Sequence, residues 1–150
     1  MSGGAPRAQD WLSGRCLCGA VTVEVEGEHA TAVGVCHCGM CRRWGDGVYA
    51  DLRVAADAVT VAGPVRRYAS SDFAERAFCP ICGSHLWFRA TDLPEPHYSF
   101  MPGLFAEASG YGLRDEIYVD RAPAYAALAG DHERRTRAEH EAREPYVEGE

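Results

Sequence analysis

The chain has 150 residues, which is enough for one domain with a hydrophobic core. Its formal net charge of −7 argues against a nucleic-acid-binding surface. No stretch approaches the roughly 20 apolar residues that span a bilayer, and residues 1–12 lack the apolar core of a signal peptide. We therefore expect a cytoplasmic protein without nucleic-acid or membrane partners.

The pattern along the chain predicts a mainly β domain. Residues 1–13 contain glycine, proline and polar residues, and we expect a flexible leader there. Residues 20–27 alternate between small apolar and polar side chains, which is the pattern of a half-buried strand. Further short strands are predicted over residues 32–35, 48–54, 58–61, 65–68, 73–78, 86–88, 98–101 and 116–119.

The C-terminal segment, residues 131–150, is more polar than the rest of the chain. Asp131 can cap a helix that runs to about Arg143, supported by two Glu/Arg pairs at i,i+4 spacing. This helix has no apolar stripe, so we expect it to lie on the surface. The sequence thus predicts a zinc-binding β domain over residues 14–130, followed by a polar helix and a disordered acidic tail over residues 144–150.

All seven cysteines stand in three tight groups. In a reducing compartment, clustered cysteines more often bind metal or perform redox chemistry than form structural disulfides. C-x-C and C-x-x-C turns can direct two sulfurs toward one ion. The groups are Cys16-Leu17-Cys18, Cys36-His37-Cys38-Gly39-Met40-Cys41 and Cys79-Pro80-Ile81-Cys82.

The first and last groups together supply four thiolates, Cys16, Cys18, Cys79 and Cys82, which complete a tetrahedral set. A Zn²⁺ ion there has no exchangeable ligand, so we predict a structural role. Its binding contributes directly to the free energy of folding. The alternatives are a reducible pair and ordinary buried cysteines.

The middle group, Cys36, Cys38 and Cys41, leaves the fourth position of a Zn²⁺ ion open to water or substrate. A thiol bound there loses its proton and becomes a nucleophile near neutral pH. Two alternatives remain, namely a peroxide-sensing thiol cluster and a site closed by His37 or by a distant residue. We expect His37 to be a solvent-facing turn residue whose ring points away from the metal.

Other candidate residues carry a weaker signal. Arg42 follows the last thiol, and with Arg43 it can hold a substrate carboxylate or offset anionic sulfur; the alternative is two solvated arginines. His85 and His97 are expected to be exposed or hydrogen-bonded rather than functional. Five aromatic residues are predicted to pack in the core rather than wall a pocket: Trp44, Trp87, Phe88, Tyr98 and Phe100.

The three cysteine blocks resemble those of the glutathione-dependent formaldehyde-activating enzymes, whose domain also occurs in centromere protein V. The likeness spans about residues 14–125. It rests on residues 14–21, 36–43 and 78–83, with further likeness at residues 68–71 and 117–120 and at Pro123. This chain has Ser84-His85 where relatives more often have a small residue and proline.

The resemblance implies an Mss4-like β-tent of small antiparallel sheets built around zinc knuckles. It implies two zinc ions per chain, a structural one at the four outer cysteines and a second one at the middle group. It further implies a carbon–sulfur lyase that joins glutathione, or an equivalent thiol, to formaldehyde or a similar aldehyde and also cleaves the adduct. Two other functions are a non-catalytic zinc module that binds a protein partner and a thiol redox sensor.

Overall fold

A computed structural model describes residues 7–9, 11–45 and 47–144, and its fold is mainly β, as predicted. Within these residues the strands are β1 (Arg7–Gln9), β2 (Leu12–Arg15), β3 (Thr22–Val25), β4 (Glu28–Ala30), β5 (Ala32–Cys36), β6 (Tyr49–Ala55), β7 (Val59–Ala62), β8 (Arg66–Ala69), β9 (Ala74–Phe78), β10 (His85–Ala90), β11 (His97–Phe100), β12 (Gly112–Ile117) and β13 (Glu133–Arg135). The helices are α1 (Gly39–Gly45) and α2 (Arg137–Arg143). None of the described helices is long and apolar enough to cross a membrane.

The described strands form three sheets. β1 pairs with β4, and a second antiparallel sheet has the order β2–β3–β7. The largest sheet has eight strands in the order β13–β12–β5–β6–β11–β10–β9–β8. It departs from the predicted small antiparallel sheets because β12 runs parallel to both β5 and β13. Parallel neighbours need a long connection instead of a hairpin, and β12 lies far from β5 along the chain.

The hydrophobic core lies between the three-stranded sheet and the eight-stranded sheet. Val21, Val23 and Val25 are fully buried, which confirms the alternation predicted for β3. They belong to one buried cluster with Trp87 and Phe100, whose rings meet edge to face at 6.0 Å. These two aromatic residues therefore pack in the core as predicted.

The flexible leader predicted over residues 1–13 is wrong at its C-terminal end, because Leu12 and Ser13 belong to β2. Leu12 is 1% exposed and pairs with Val25 of β3. The Ser13 hydroxyl donates a hydrogen bond to Glu24 at 2.7 Å. Residues 7–9 form β1, which pairs with β4, and residues 1–6 and 10 of the predicted leader lie outside the described residues.

The prediction of a helix that starts at Asp131 is also wrong. Glu133–Arg135 form β13, where Arg135 bonds to Asp115 of β12 at 3.0 Å. The i,i+4 pairs that favoured a helix are worth only about 0.2–0.5 kcal/mol each, so tertiary pairing outweighs them. The predicted acidic tail lies outside the described residues from residue 145 onward.

The short C-terminal helix itself is confirmed, with a different cap. α2 begins at Arg137, and the Thr136 hydroxyl accepts a hydrogen bond from the Glu139 amide at 3.2 Å. The Glu139 carboxylate accepts one from the Thr136 amide at 3.0 Å, which completes a capping box. Thr136 therefore marks the helix start that we assigned to Asp131.

Replacing Leu12 by alanine tests whether the N-terminal strand is part of the folded core. Removing this buried side chain is expected to lower the free energy of unfolding by about 3 kcal/mol, because it leaves a cavity. Urea titration followed by tryptophan fluorescence measures the change. Leu17→Ala is the matched control, since Leu17 is 81% exposed, and it should stay within about 0.5 kcal/mol of the parent. Similar effects of both substitutions would contradict the burial of β2.

Candidate functional site

The outer cysteine cluster, Cys16, Cys18, Cys79 and Cys82, lies where the three-stranded and eight-stranded sheets meet. Cys16 and Cys18 are in the turn between β2 and β3, and the other two are in the turn between β9 and β10. All four sulfurs lie within 4.8 Å of one another. The predicted convergence of these two distant pairs is confirmed.

The spacing of the outer sulfurs fits a tetrahedral metal site. Cys18 Sγ lies 3.6 Å from Cys16 Sγ and 3.9 Å from Cys79 Sγ. A zinc ion with Zn–S bonds of about 2.3 Å places its sulfurs roughly 3.8 Å apart. A hydrogen bond with the Ser84 hydroxyl at 3.2 Å lowers the pKa of Cys82 to about 5, which favours the thiolate that a metal requires. The residues present therefore fit a closed four-thiolate centre.

The middle group, which we call the trio, consists of Cys36, Cys38 and Cys41. Cys36 ends β5 and Cys41 lies in the first turn of α1, so the predicted tight turn is a strand end followed by a short helix. The three sulfurs lie within 4.8 Å of one another. Among the described residues, no histidine, carboxylate or further cysteine joins this group. The trio therefore offers a metal ion three protein ligands.

Hydrogen bonds among the three sulfurs of the trio shift the pKa values of its thiols. Hydrogen bonds from the thiols of Cys36 and Cys41 lower the pKa of Cys38 to about 2. The Cys41 amide also donates to Cys38 Sγ at 3.3 Å. The pKa of Cys36 rises well above its ordinary value, chiefly because its thiol is hydrogen-bonded to Cys38. The lowered pKa of Cys38 favours the thiolate form that a metal ligand requires.

Arg76 of β9 is a site residue that the sequence did not reveal. It is 3% exposed, and its Nη2 lies 3.8 Å from Cys41 Sγ. Its guanidinium carbon lies 5.0 Å from the ring centroid of Phe88 and 5.7 Å from that of Tyr49, both cation–π distances. A buried positive charge at this position offsets the negative charge of the trio. No sequence motif includes Arg76. The available signal was its position in a strand whose other residues are mostly buried.

His37 does not face solvent, so our expectation for it is wrong. The side chain is fully buried, and Nε2 lies 2.7 Å from Glu116 Oε1 on β12. The other carboxylate oxygen of Glu116 is hydrogen-bonded to His132, and Arg134 Nε lies 3.3 Å from it. These contacts anchor the loop between the first two trio cysteines to the parallel strand. The sequence could not show them, because they depend on the pairing of β12 with β5.

The trio lines a cavity of about 480 Å³. Five arginines and three acidic residues contribute to its walls, so the lining carries net positive charge in a protein that is acidic overall. Tyr49 is 5% exposed, and within the described residues its hydroxyl has no hydrogen-bond partner. His97, which we expected to be exposed or hydrogen-bonded, also lines the cavity and lies near the Glu95 carbonyl oxygen at 3.3 Å.

Arg42, the predicted substrate contact, lies beside the trio in α1. Its Nε donates to the His37 carbonyl oxygen at 3.0 Å. It is not among the residues that line the cavity, and Arg43 is exposed. The assignment of Arg42 to a substrate carboxylate stays a prediction.

Two of the five aromatic residues predicted for the core lie at the site instead. Phe88 lines the cavity. Trp44 packs beside the trio and stacks on His85, with ring centroids 4.4 Å apart. Tyr98 packs against the core, stacked on Phe100 at 5.0 Å. The strand alternation could not separate these cases, because both faces of the eight-stranded sheet carry aromatic side chains.

A protein-family model described as glutathione-dependent formaldehyde-activating enzyme matches residues 11–121. The chain belongs to this family. It is 35% identical over 111 residues to a Schizosaccharomyces pombe protein named "Uncharacterized lyase", and the match covers 73% of this chain and 80% of that protein. It is 27% identical over 127 residues to a Halomonas elongata protein named "Putative glutathione-dependent formaldehyde-activating enzyme", with coverage of 78% and 80%.

The fold is also similar to the crystal structure of a Rhodobacter sphaeroides protein. The TM-score is 0.51 at 22% sequence identity, and the match covers 67% of this chain and 98% of that one. At this identity the likeness concerns the fold alone. The family resemblance inferred from the three cysteine blocks is thus confirmed, and the chain shares its fold with a solved structure.

Replacing Glu116 by glutamine tests the buried anchor of the trio in this family member. Burial opposes ionisation of Glu116, but hydrogen bonds from His132 and His37 outweigh it, so the pKa of Glu116 lies below its ordinary value of 4.5. A lowered pKa means that the carboxylate stabilises the fold above that ordinary value, and that this contribution disappears as the pH falls through the lowered pKa. Glu116→Gln is therefore expected to cost about 3 kcal/mol near pH 7 and much less in acid.

Urea titrations between about pH 3 and pH 7 measure the difference in the free energy of unfolding between the wild type and Glu116→Gln. This difference should shrink as the pH falls through the range in which Glu116 takes up its proton. Glu26→Gln is the control, because Glu26 is exposed; its effect should stay within about 0.5 kcal/mol at every pH. A cost for Glu116→Gln that is independent of pH would show that its charge is not responsible.

Proposed function

We propose that this chain is a zinc-dependent carbon–sulfur lyase that acts on the adduct of a small thiol, such as glutathione, with formaldehyde or a similar aldehyde. The observation that carries the proposal is the trio: three converging cysteines on a cavity wall, with no fourth protein ligand among the described residues. Membership in the family and the names carried by its relatives support this reaction class.

The two cysteine clusters would hold one zinc ion each. The outer cluster offers a complete tetrahedral set and would serve the fold. A zinc ion held by Cys36, Cys38 and Cys41 would supply a Lewis-acid position that favours the thiolate form of a thiol in the cavity. Only the trio borders this cavity, so the chemistry is assigned to the trio and not to the outer cluster.

The chain's own residues supply the electrostatics of the reaction. When the adduct RS–CH₂–OH breaks down, the hydroxyl loses its proton, the C–S bond breaks, and its electron pair returns to sulfur. Arg76, buried beside Cys41 Sγ, stabilises negative charge that develops on a sulfur in this cavity. The positive lining attracts an anionic thiol such as glutathione, and Arg42 remains a proposed contact for one of its carboxylates.

A second function, the docking of a protein partner, is favoured by one observation. Leu17 and Ile81 stand at the tips of the two outer cysteine turns and are 81% and 68% exposed. Apolar side chains in such positions suit a protein contact. They lie apart from the cavity, so this function is compatible with the enzyme and does not replace it.

The enzyme is tested by following the glutathione–formaldehyde adduct by NMR with the wild type and with Cys38→Ser. The wild type should exceed the uncatalysed rate in both directions, and Cys38→Ser should fall to the uncatalysed rate because it removes one trio ligand. Far-UV circular dichroism checks that the variant is folded. If the wild type merely matches the uncatalysed reaction, the lyase proposal fails.

Metal analysis tests the zinc assignment separately. We expect two zinc ions per chain in the wild type and one in Cys38→Ser, with the fold retained. A chelator should remove the trio's zinc first, because its fourth position is open to exchange. Cys79→Ser should instead lower the thermal unfolding temperature strongly, since it opens the structural centre. A folded wild type that purifies without zinc would contradict the assignment.

A further inference from the structure

One strand presents a row of polar side chains along the cavity. Residues 49, 51 and 53 alternate on β6, so Tyr49, Asp51 and Arg53 share a face, and all three line the cavity. Tyr49 is the backbone partner of Cys36, which places this end of the strand beside the trio. At about 3.3 Å per residue, the Cα atom of Asp51 lies roughly 7 Å, and that of Arg53 roughly 13 Å, from that of Tyr49.

Asp51 is one of three acidic residues in a cavity whose charged lining is mostly arginine. Among the described residues, its side chain forms no hydrogen bond or ion pair. It lies opposite Gly34 of β5. A Cβ atom at Gly34 would lie 2.9 Å from Asp51 Oδ1 and would clash with Arg114 Nη2. Because Gly34 has no side chain, the polar ends of Asp51 and Arg114 can occupy this space at the cavity wall.

Arg53 stands farther along the same wall and is exposed at the cavity rim. In the described part of the chain it has no ion pair, whereas Arg135, another lining residue, is bonded to Asp115 at 3.0 Å. His97 lies at the same end of the cavity, because β11 pairs with this part of β6. The wall thus offers one hydrogen-bond acceptor and one donor, both charged and both available to a ligand.

We propose that Asp51 and Arg53 form a subsite for the α-amino-acid head of the thiol substrate. The Asp51 carboxylate accepts hydrogen bonds from the ammonium group, and the Arg53 guanidinium donates to the carboxylate. This inference rests on the proposed function, because it places the sulfur end of the same molecule at the trio. It goes further by naming the residues that select the thiol.

The spacing of the subsite defines the class of thiol. The head group must lie several bonds from the sulfur to reach Asp51 and Arg53 while the sulfur is at the trio. A γ-glutamyl peptide such as glutathione meets this requirement, whereas free cysteine is too short. A thiol whose amino group is acylated lacks the ammonium donor for Asp51, and losing a hydrogen bond to a charged group discriminates between ligands.

Isothermal titration calorimetry with the full-length zinc-loaded chain tests the subsite without turnover. The probes are S-methylglutathione, which cannot react, and its N-acetyl derivative, which lacks the ammonium group. The wild type should bind S-methylglutathione about tenfold more tightly, or about 1.4 kcal/mol, because only this probe donates hydrogen bonds to the Asp51 carboxylate. Asp51→Asn should weaken binding of S-methylglutathione alone, and so abolish the preference.

Arg53→Ala provides an independent readout of the same subsite. It removes the carboxylate contact, which both probes make, so it should weaken both by about tenfold and leave the preference intact. The matched controls are Asp57→Asn and Arg66→Ala, at exposed residues outside the cavity lining, and both affinities should match the wild type. Thermal unfolding confirms that each variant is folded.

The possible outcomes separate this inference from the lyase proposal. A wild type that binds neither probe, or binds both equally, overturns the subsite. Equal weakening of both probes by Asp51→Asn also overturns it. A wild type with the expected preference but no rate above background refutes the lyase and supports the subsite, and a wild type that catalyses without the preference refutes the subsite alone.

Discussion

The convergence of four cysteine sulfurs from two sheets is the constraint on which the rest of this fold depends. The outer cluster ties the turn between β2 and β3 to the turn between β9 and β10. Four sulfurs within 4.8 Å cannot all carry negative charge unless a cation neutralises them. A metal ion bound by these sulfurs would therefore fix the position of the three-stranded sheet against the eight-stranded sheet, and the cavity is built on the larger of these sheets.

The trio is held by different means. Cys41 lies in α1 and Cys38 directly precedes this helix, and His37 anchors this segment to Glu116 on the parallel strand β12. Arg76 contacts the trio from β9, a strand that is not adjacent to β5 in the eight-stranded sheet. The outer cluster thus presents a closed set of four sulfurs. The trio presents three sulfurs, lies beside the buried charge of Arg76 and borders the cavity.

Local features of the site could be predicted from the sequence, because close spacing along the chain fixes their geometry. The pairing of Cys16/Cys18 with Cys79/Cys82 followed from counting sulfurs in short turns. The buried face of β3 followed from its alternation. By contrast, the contacts of His37 and Arg76 depend on which strands become neighbours. No local pattern shows that β12 runs parallel to β5, and the same long-range pairing turned part of the predicted C-terminal helix into β13.

The sequence separation between the outer cysteine pairs has a consequence for biosynthesis. Cys36, Cys38 and Cys41 leave the ribosome almost together, so the trio's sulfurs can gather around an ion early. Cys18 can meet Cys79 only after 61 further residues have been synthesised. At about 5–20 residues per second, that delay lasts roughly 3–12 seconds. During this interval the nascent chain carries two uncommitted thiols, which exposes it to oxidants. On the zinc assignment proposed above, its folding would also depend on the supply of zinc at that moment.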